Sequence, residues 1–396
     1  MAEMLMGRRV PLPLAGLLSL AVAMGIGRFA FTPMLPMMQA DLGLSLSQGG
    51  WLASSNYLGY LLGALLGTRL PWSSEKMLKW GLWAVVLATA AMGLGTLWSG
   101  WVLWRFLAGV ASAWVLIGTS ALCVARLAAS GRGEKTGVVF AGVGFGIAFA
   151  GLACMALTLL GVGSSHAWLW LALASLAGLL GASMLWQVPA AADSPTRVAS
   201  RQAAAPSLRA QPEVGSGRLH WGLVWCYGFF GFGYILPATF LPAQARLLVP
   251  DAWLFSLAWP VFGLAAAVST LLGSRLTRYC RRPTIWAAAQ LVMGVGVLLP
   301  VLWQSLAAIL IAALCVGSTF MVITMVGLQE AQVQVGPTII KRQIAAMVAS
   351  FAFGQLAGPV FFNLSHDWFG APLSLTLVAG TVVLVLGSVP VLRLRA

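Results

Sequence analysis

Acidic residues are scarce in this chain. Its 396 residues include 9 Asp and Glu against 23 Lys and Arg, and charged residues make up only 8% of the sequence against 60% hydrophobic residues. With a mean hydropathy of +0.91, this composition excludes a soluble globular domain of ordinary type. The five cysteines (Cys123, Cys154, Cys226, Cys280 and Cys315) show no paired spacing, and the three histidines (His166, His220 and His366) are scattered. No metal, haem or disulfide framework is legible, and no cofactor is expected. Lys135-Thr136 follows glycines but lacks the full phosphate-loop spacing and follows no strand, so no ATP site is expected. A catalytic dyad is also missing, which argues against an enzyme.

What is present is long runs without charge. About 20 apolar residues cross the hydrocarbon of a bilayer, and such runs give twelve spans. The first covers residues 11–38, the second lies between Asp41 and Arg69, the third between Lys79 and Arg105, and the fourth over Trp101 to Ala125. Two more fit between Lys135 and Asp193, split by Gly161 to His166. The seventh and eighth fill the runs Arg218 to Arg246 and Asp251 to Arg275. Arg282 to Glu330 holds the ninth and tenth, broken near Pro300 to Gln304, and the last two lie on either side of Asp367.

The chain repeats itself. Gly25-Ile-Gly27-Arg28 with Leu35-Pro36 returns as Gly231-Phe-Gly233-Tyr234 with Leu241-Pro242, and the same offset carries Leu65-Leu-Gly67-Thr-Arg69-Leu70 onto Leu271-Leu-Gly273-Ser-Arg275-Leu276. The expected fold is therefore all-α and integral to the membrane, with twelve transmembrane helices in two pseudo-symmetric six-helix halves. Residues 1–188 form the first half and 219–396 the second. The intervening 189–218, rich in Ala, Pro, Ser and Arg and without periodicity, reads as a flexible linker.

Basic residues set the expected orientation. Alternating the loops leaves Arg246 as the one basic residue on the side opposite the termini, with Arg28 and Arg105 inside the membrane, out of 23 Lys and Arg. Both termini and the linker are therefore expected in the cytoplasm, and the net charge of +14 reflects topology near anionic lipid and not nucleic-acid binding. The apolar run after Arg8-Arg9 is too long for a secretory signal and reads as an uncleaved first span. Tryptophans at inferred borders, among them Trp51, Trp101, Trp168, Trp303 and Trp368, read as interfacial anchors.

Arg28 stands alone in its span. A central Arg costs about 2.5–3.5 kcal/mol on insertion scales, so it faces a bundle interior or wet cavity and finds a partner there. Either backbone carbonyls of neighbouring helices satisfy it, or it binds substrate. At about 1.5 Å per residue it lies some 15 Å below Met38, and Asn56, beside Tyr57, lies about 12 Å below Gln48, a similar depth. Tyr234 shares that depth through the repeat. Arg105, about one turn below Trp101, is placed nearer the outer surface, with locking and functional roles equally open. Small residues such as Gly142, Gly144 and Gly354 read as helix-packing sites.

Two six-span halves, a long central loop and Arg105-Phe-Leu-Ala-Gly109 in the fourth span resemble the major facilitator superfamily over the whole chain. Gly25 to Pro33, Gly50 to Tyr60 and Thr319 to Thr324 with Gln329-Glu330-Ala331 are similar to its YbfB/YjiJ-type branch. The resemblance implies a bacterial inner-membrane transporter with both termini cytoplasmic. It further implies that spans one, four, seven and ten line a cavity, and these carry Arg28, Arg105, Tyr234 and Glu330. The family's loop motif after span two lacks its Asp here, since Gly63 to Arg69 keeps only glycines and a basic residue. The substrate-binding set is Arg28, Asn56, Tyr57, Arg105 and Tyr234. Glu330 is the proton-coupling candidate, with a solvated helix-end carboxylate as its plain reading. The expected partners are a small-molecule substrate and membrane lipid, with the protein acting as a monomer. The leading function is secondary transport of a small organic anion by alternating access. Its rivals are proton-coupled efflux of amphipathic compounds and a non-transporting membrane sensor or scaffold.

Overall fold

The computed structural model of the chain describes residues 11–95, 97–187, 218–248, 252–370 and 372–392. The expected linker over 189–217, the residues before Pro11, Asp251 and the C-terminal arginines lie outside the described residues. Among the described residues there are twelve long helices and no strand. They are α1 (Leu12–Leu42), α2 (Leu46–Arg69), α3 (Ser74–Leu94), α4 (Trp98–Ala129), α5 (Thr136–Leu159), α6 (Ser164–Ala182), α7 (Trp221–Leu248), α8 (Ala252–Leu276), α9 (Arg282–Leu302), α10 (Leu306–Gln334), α11 (Ile340–Phe369) and α12 (Leu373–Leu392). Ten are long and apolar enough to span a membrane. The other two are more polar on the hydropathy scale, α2 through Ser54, Ser55 and Asn56, and α7 through its Gly, Trp and Tyr content.

The helix ends follow from local chemistry. Ser45 and Gln48 close a reciprocal capping box at the start of α2, with bonds of 3.1 and 2.9 Å, and Ser73 and Ser305 accept from the third residue of α3 and α10. Gly43 (φ 66°) ends α1 in the left-handed conformation that only glycine adopts cheaply. Inside α1, Ala21–Phe29 is wound as a π-helix between two α-helical stretches. The wider winding changes which α1 carbonyls are free to accept other bonds.

Helices α1–α6 pack among themselves through the pairs α2–α4, α3–α4, α3–α6 and α1–α5. Helices α7–α12 do the same through α7–α11, α9–α10, α9–α12 and α8–α10. The two groups meet along α2–α11 and α5–α8, contacts that the repeat interchanges. Glycine sets the closest approaches, as expected where helices associate without a hydrophobic drive. A Cβ on Gly142 would fall 2.1 Å from the Leu17 carbonyl oxygen, one on Gly144 2.4 Å from the Gly263 oxygen, and one on Gly354 2.4 Å from the Gly228 oxygen.

At the end of the bundle carrying the basic loops, two contacts tie the groups together. Lys341 Nζ at the start of α11 donates to the Leu70 and Trp72 carbonyls, at 3.0 and 2.6 Å, in the loop where the family's Asp is missing. Its charge meets the negative end of the α2 dipole. Arg278, between α8 and α9, pairs with Glu134 before α5 at 3.4 Å.

Some expectations are corrected. Trp101 and Trp168 are buried and not interfacial, because their indole N–H groups have internal acceptors in the Met92 and Gly95 carbonyls and in Met38 Sδ. Asp41, a span boundary in the sequence, belongs to a helix. It lies in the last turn of α1 and accepts the Ser164 N–H at the first turn of α6, where an anion offsets the helix dipole. Helix α11 runs past Asp367 to Phe369, so one charge near a helix end does not break it.

Candidate functional site

The π-wound segment carries the site's charge. Arg28 is 3% exposed, and its guanidinium lies 3.8 Å from the centroid of the Tyr60 ring and 5.5 Å from those of Tyr57 and Phe29. This aromatic seating offsets part of the desolvation of the cation. Arg28 Nη2 donates to Gln355 Oε1 of α11, a bond from one half to the other. Its Nε and Nη1 make no hydrogen bond of good geometry, nor does Gln355 Nε2, and the Tyr60 hydroxyl has only the guanidinium beside it to interact with. Buried donors are normally satisfied, so three unsatisfied nitrogens at one guanidinium and its amide partner are a functional signal.

Arg28 and Tyr60 border a cavity of about 20 Å³, lined also by Met24, Tyr227, Tyr234, Phe320 and neighbours from both halves. It has room for about one water. The second half supplies an aromatic wall: Tyr234 stacks on Phe320 at 5.1 Å, Phe320 on Phe262 at 5.2 Å, and Phe351 lies 4.9 Å from Phe230. Four of the five tyrosines (Tyr57, Tyr60, Tyr227 and Tyr234) gather around Arg28 and the cavity, while Tyr279 is exposed at the basic end.

Arg105 lies behind the cavity. Its Nη1 donates to the Gly27 carbonyl at 3.0 Å and its Nη2 to the Arg28 carbonyl at 3.1 Å, while Phe31 covers its guanidinium at 4.8 Å. It therefore sits level with Arg28 and not nearer the outer surface. The reason is that α4 begins at Trp98, placing Arg105 about 10 Å along the helix. Asn56 Nδ2 in turn donates to the Arg105 carbonyl at 2.8 Å. Two α1 carbonyls are thus held by a cation whose own helix is tied to α2. This chain of bonds fixes the rotation of α1 and presents Arg28 to the cavity.

Of the residues singled out in the sequence, Arg28 and Tyr234 line the cavity, Tyr57 lies beside the Arg28 guanidinium, and Arg105 and Asn56 stand one layer behind. Glu330 points elsewhere. It is 3% exposed, accepts from Gln334 at 2.7 Å and faces Arg282 of α9 at 3.9 Å. The solvated helix-end reading is overturned, because α9 covers the carboxylate and supplies its counter-charge. Among the described acidic side chains, Asp41, Glu75, Glu134 and Glu330, none lines the cavity. Sequence reasoning missed Tyr60, Tyr227 and Gln355. Tyr60 lies one helical turn after Asn56 and Tyr57 on the same side of α2, a spacing that marks one face.

Comparison with known proteins agrees with this architecture. The crystal structure of the human organic anion transporter MFSD10 (TETRAN) superposes with a TM-score of 0.69, covering 97% of this chain and 98% of that one at 15% identity, a likeness of fold alone. The uncharacterized MFS-type transporter Ent638_1421 of Enterobacter sp. (strain 638) is 34% identical over 121 residues, 29% of this chain and 30% of its own. YceJ of Bacillus subtilis (strain 168), also an uncharacterized MFS-type transporter, is 29% identical over 99 residues, 24% of this chain and 25% of its own. These matches thus span less than a third of the relatives' length. A family model described as "Uncharacterised MFS-type transporter YbfB" matches residues 20–392. With twelve helices in two repeated groups and a charged pocket where they meet, the chain belongs to this family of the major facilitator superfamily.

Proposed function

We propose that this protein is a secondary transporter of small organic anions, working by alternating access around Arg28, in a bacterial inner membrane with both termini in the cytoplasm. The observation that carries the reading is Arg28 itself: a buried cation between the halves, with two nitrogens lacking partners and no described carboxylate on the cavity. An anion supplies both the missing charge and the missing acceptors. The aromatic wall of Tyr227, Tyr234, Phe320 and Phe351 suits a substrate whose carboxylate sits on an apolar or aromatic body. Arg105 acts as a positioning residue, since its Nη groups are bonded to α1. The α2–α11 and α5–α8 seams, tied at the basic end by Lys341 and Arg278, are the surfaces along which the halves rock.

The test is proteoliposome uptake and ligand-induced thermal stabilisation with a panel of carboxylates and a panel of amphipathic cations. Wild type is expected to respond to carboxylates. Arg28→Lys keeps the charge but loses the planar fork, and is expected to weaken binding about tenfold in a folded protein. Wild-type affinity and flux in a well-folded Arg28→Met protein would overturn the reading.

A further inference from the structure

The run Gly354 to Pro359 reads in the sequence as helix packing, and Gly354 does pack against α7. Yet one residue later the same helix carries Gln355, 1% exposed, with Oε1 accepting from Arg28 and Nε2 without a partner. We propose that Gln355 is the second half's specificity-determining residue: its amide oxygen holds, in the empty protein, the place on Arg28 Nη2 that a substrate carboxylate oxygen takes. This inference rests on the anion reading of Arg28 and adds a second residue and a sequence of events to it.

The chemistry is one of substitution between acceptors. A neutral amide oxygen on a buried guanidinium is a weaker partner than a carboxylate, because both members of the latter bond are charged. An arriving anion can therefore displace it. Once displaced, Gln355 can turn its unpartnered Nε2 toward the second carboxylate oxygen, or toward another acceptor on the substrate. Arg28 Nε and Nη1, without partners in the empty state, provide the remaining donors, with the Tyr60 hydroxyl beside them. Gln355 lies on α11 and Arg28 on α1, so the exchange also releases a bond between the halves at the moment the substrate binds. A cavity of about 20 Å³ holds no organic anion, so binding must move the walls. Loss of that bond is the local event that allows it.

The near-isosteric Gln355→Glu variant separates this role from packing. A glutamate there would place a permanent carboxylate on Arg28, competing with every anion while preserving shape. The experiment compares full-length wild type, Gln355→Glu and Gln355→Met in detergent and proteoliposomes, with benzoate and succinate as probes. Wild type is expected to be stabilised thermally by at least one probe. Gln355→Glu is expected to be at least as thermostable without ligand and to need about tenfold or more probe for the same response, a loss within the usual range of coupling between two ligands of one site. Gln355→Met removes the competing oxygen together with the Nε2 donor, so its probe response is expected to stay near wild type, and a loss as large as that of Gln355→Glu would overturn the assignment by pointing to packing. A wild-type dose response in Gln355→Glu overturns the Gln355 assignment alone. Absence of any response in wild type, or a response unchanged by Arg28→Met, overturns the anion reading and this assignment with it.

Discussion

The two halves use one frame for opposite chemistries. In the first, α4 crosses α2 where Gly109 meets the Asn56 carbonyl, and in the second, α10 crosses α8 where Gly317 meets the Phe262 carbonyl. Four residues before Gly109 stands Arg105, and four before Gly317 stands Ala313. Arg28 of α1 has Tyr234 of α7 as its repeat mate. Where the first half has Arg28, Asn56 and Arg105, the second has Tyr234, Phe262 and Ala313, and its contribution to the cation is the neutral amide of Gln355. A duplicated bundle need not bind its ligand symmetrically: one half holds the charge, and the other closes over it with aromatic surface. The polar half also needs extra bonds, since each buried guanidinium must be seated, and Arg105 with Asn56 performs that task.

The crossing itself gives the largest test of this asymmetry. A Cβ on Gly109 would fall 2.1 Å from the Asn56 oxygen, whereas one on Gly317 would fall 3.0 Å from a Phe262 ring carbon. Backbone cannot yield as a ring can. Gly109→Ala is expected to cost about 3 kcal/mol and Gly317→Ala about 1 kcal/mol, measured as thermal or denaturant unfolding in detergent. Equal effects would show that the first half is not packed more tightly at its polar site.

Next in size is the polar layer behind Arg28. Arg105→Met removes two charge-assisted bonds to α1 carbonyls and is expected to cost about 2 kcal/mol, while Tyr234→Phe costs about 0.5 kcal/mol. Arg105→Met should also weaken anion binding without Arg105 touching the anion, because Arg28 loses its fixed presentation. If Tyr234→Phe proves the more destabilising, the aromatic half is the more constrained.

The smallest effects belong to the two ties at the basic end. Arg278→Ala breaks a solvent-facing ion pair with Glu134, and its effect is expected to vanish at high salt. Lys341→Met removes bonds to two backbone carbonyls in a partly buried loop and is expected to cost about 1 kcal/mol with less salt dependence. Thermal unfolding of both variants at low and high ionic strength distinguishes them. Identical salt responses would mean that the two ties are equivalent despite their different chemistry.

Much of the frame was legible because lipid makes it so. Runs poor in charge, bounded by basic or acidic residues or broken at Gly161 to His166 and Pro300 to Gln304, marked the twelve helices, and the repeat of Gly25 to Arg28 onto Gly231 to Tyr234 gave the pseudo-symmetry. Arg28 was legible for the same reason, as a charge where charge is expensive. The depth of Arg105 was not, since it depends on where α4 starts, and Trp98 and Trp101 both look like borders. The role of Glu330 was hidden because its counter-charge, Arg282, is remote in sequence. Gln355 carries no charge and stands in a glycine-rich run, so only the fold shows that it faces Arg28. Four tyrosines meeting at one depth could have been noticed, had the scarcity of Tyr been weighed as heavily as that of Asp and Glu.

The size of the central gap has a consequence for protons. Protons cross proteins along files of hydrogen-bonded water, and a space of about 20 Å³ holds one molecule and not a file. Arg28, a fixed positive charge beside that single position, also repels any hydronium approaching it. In this state the gap itself therefore offers protons no file of water to follow past Arg28.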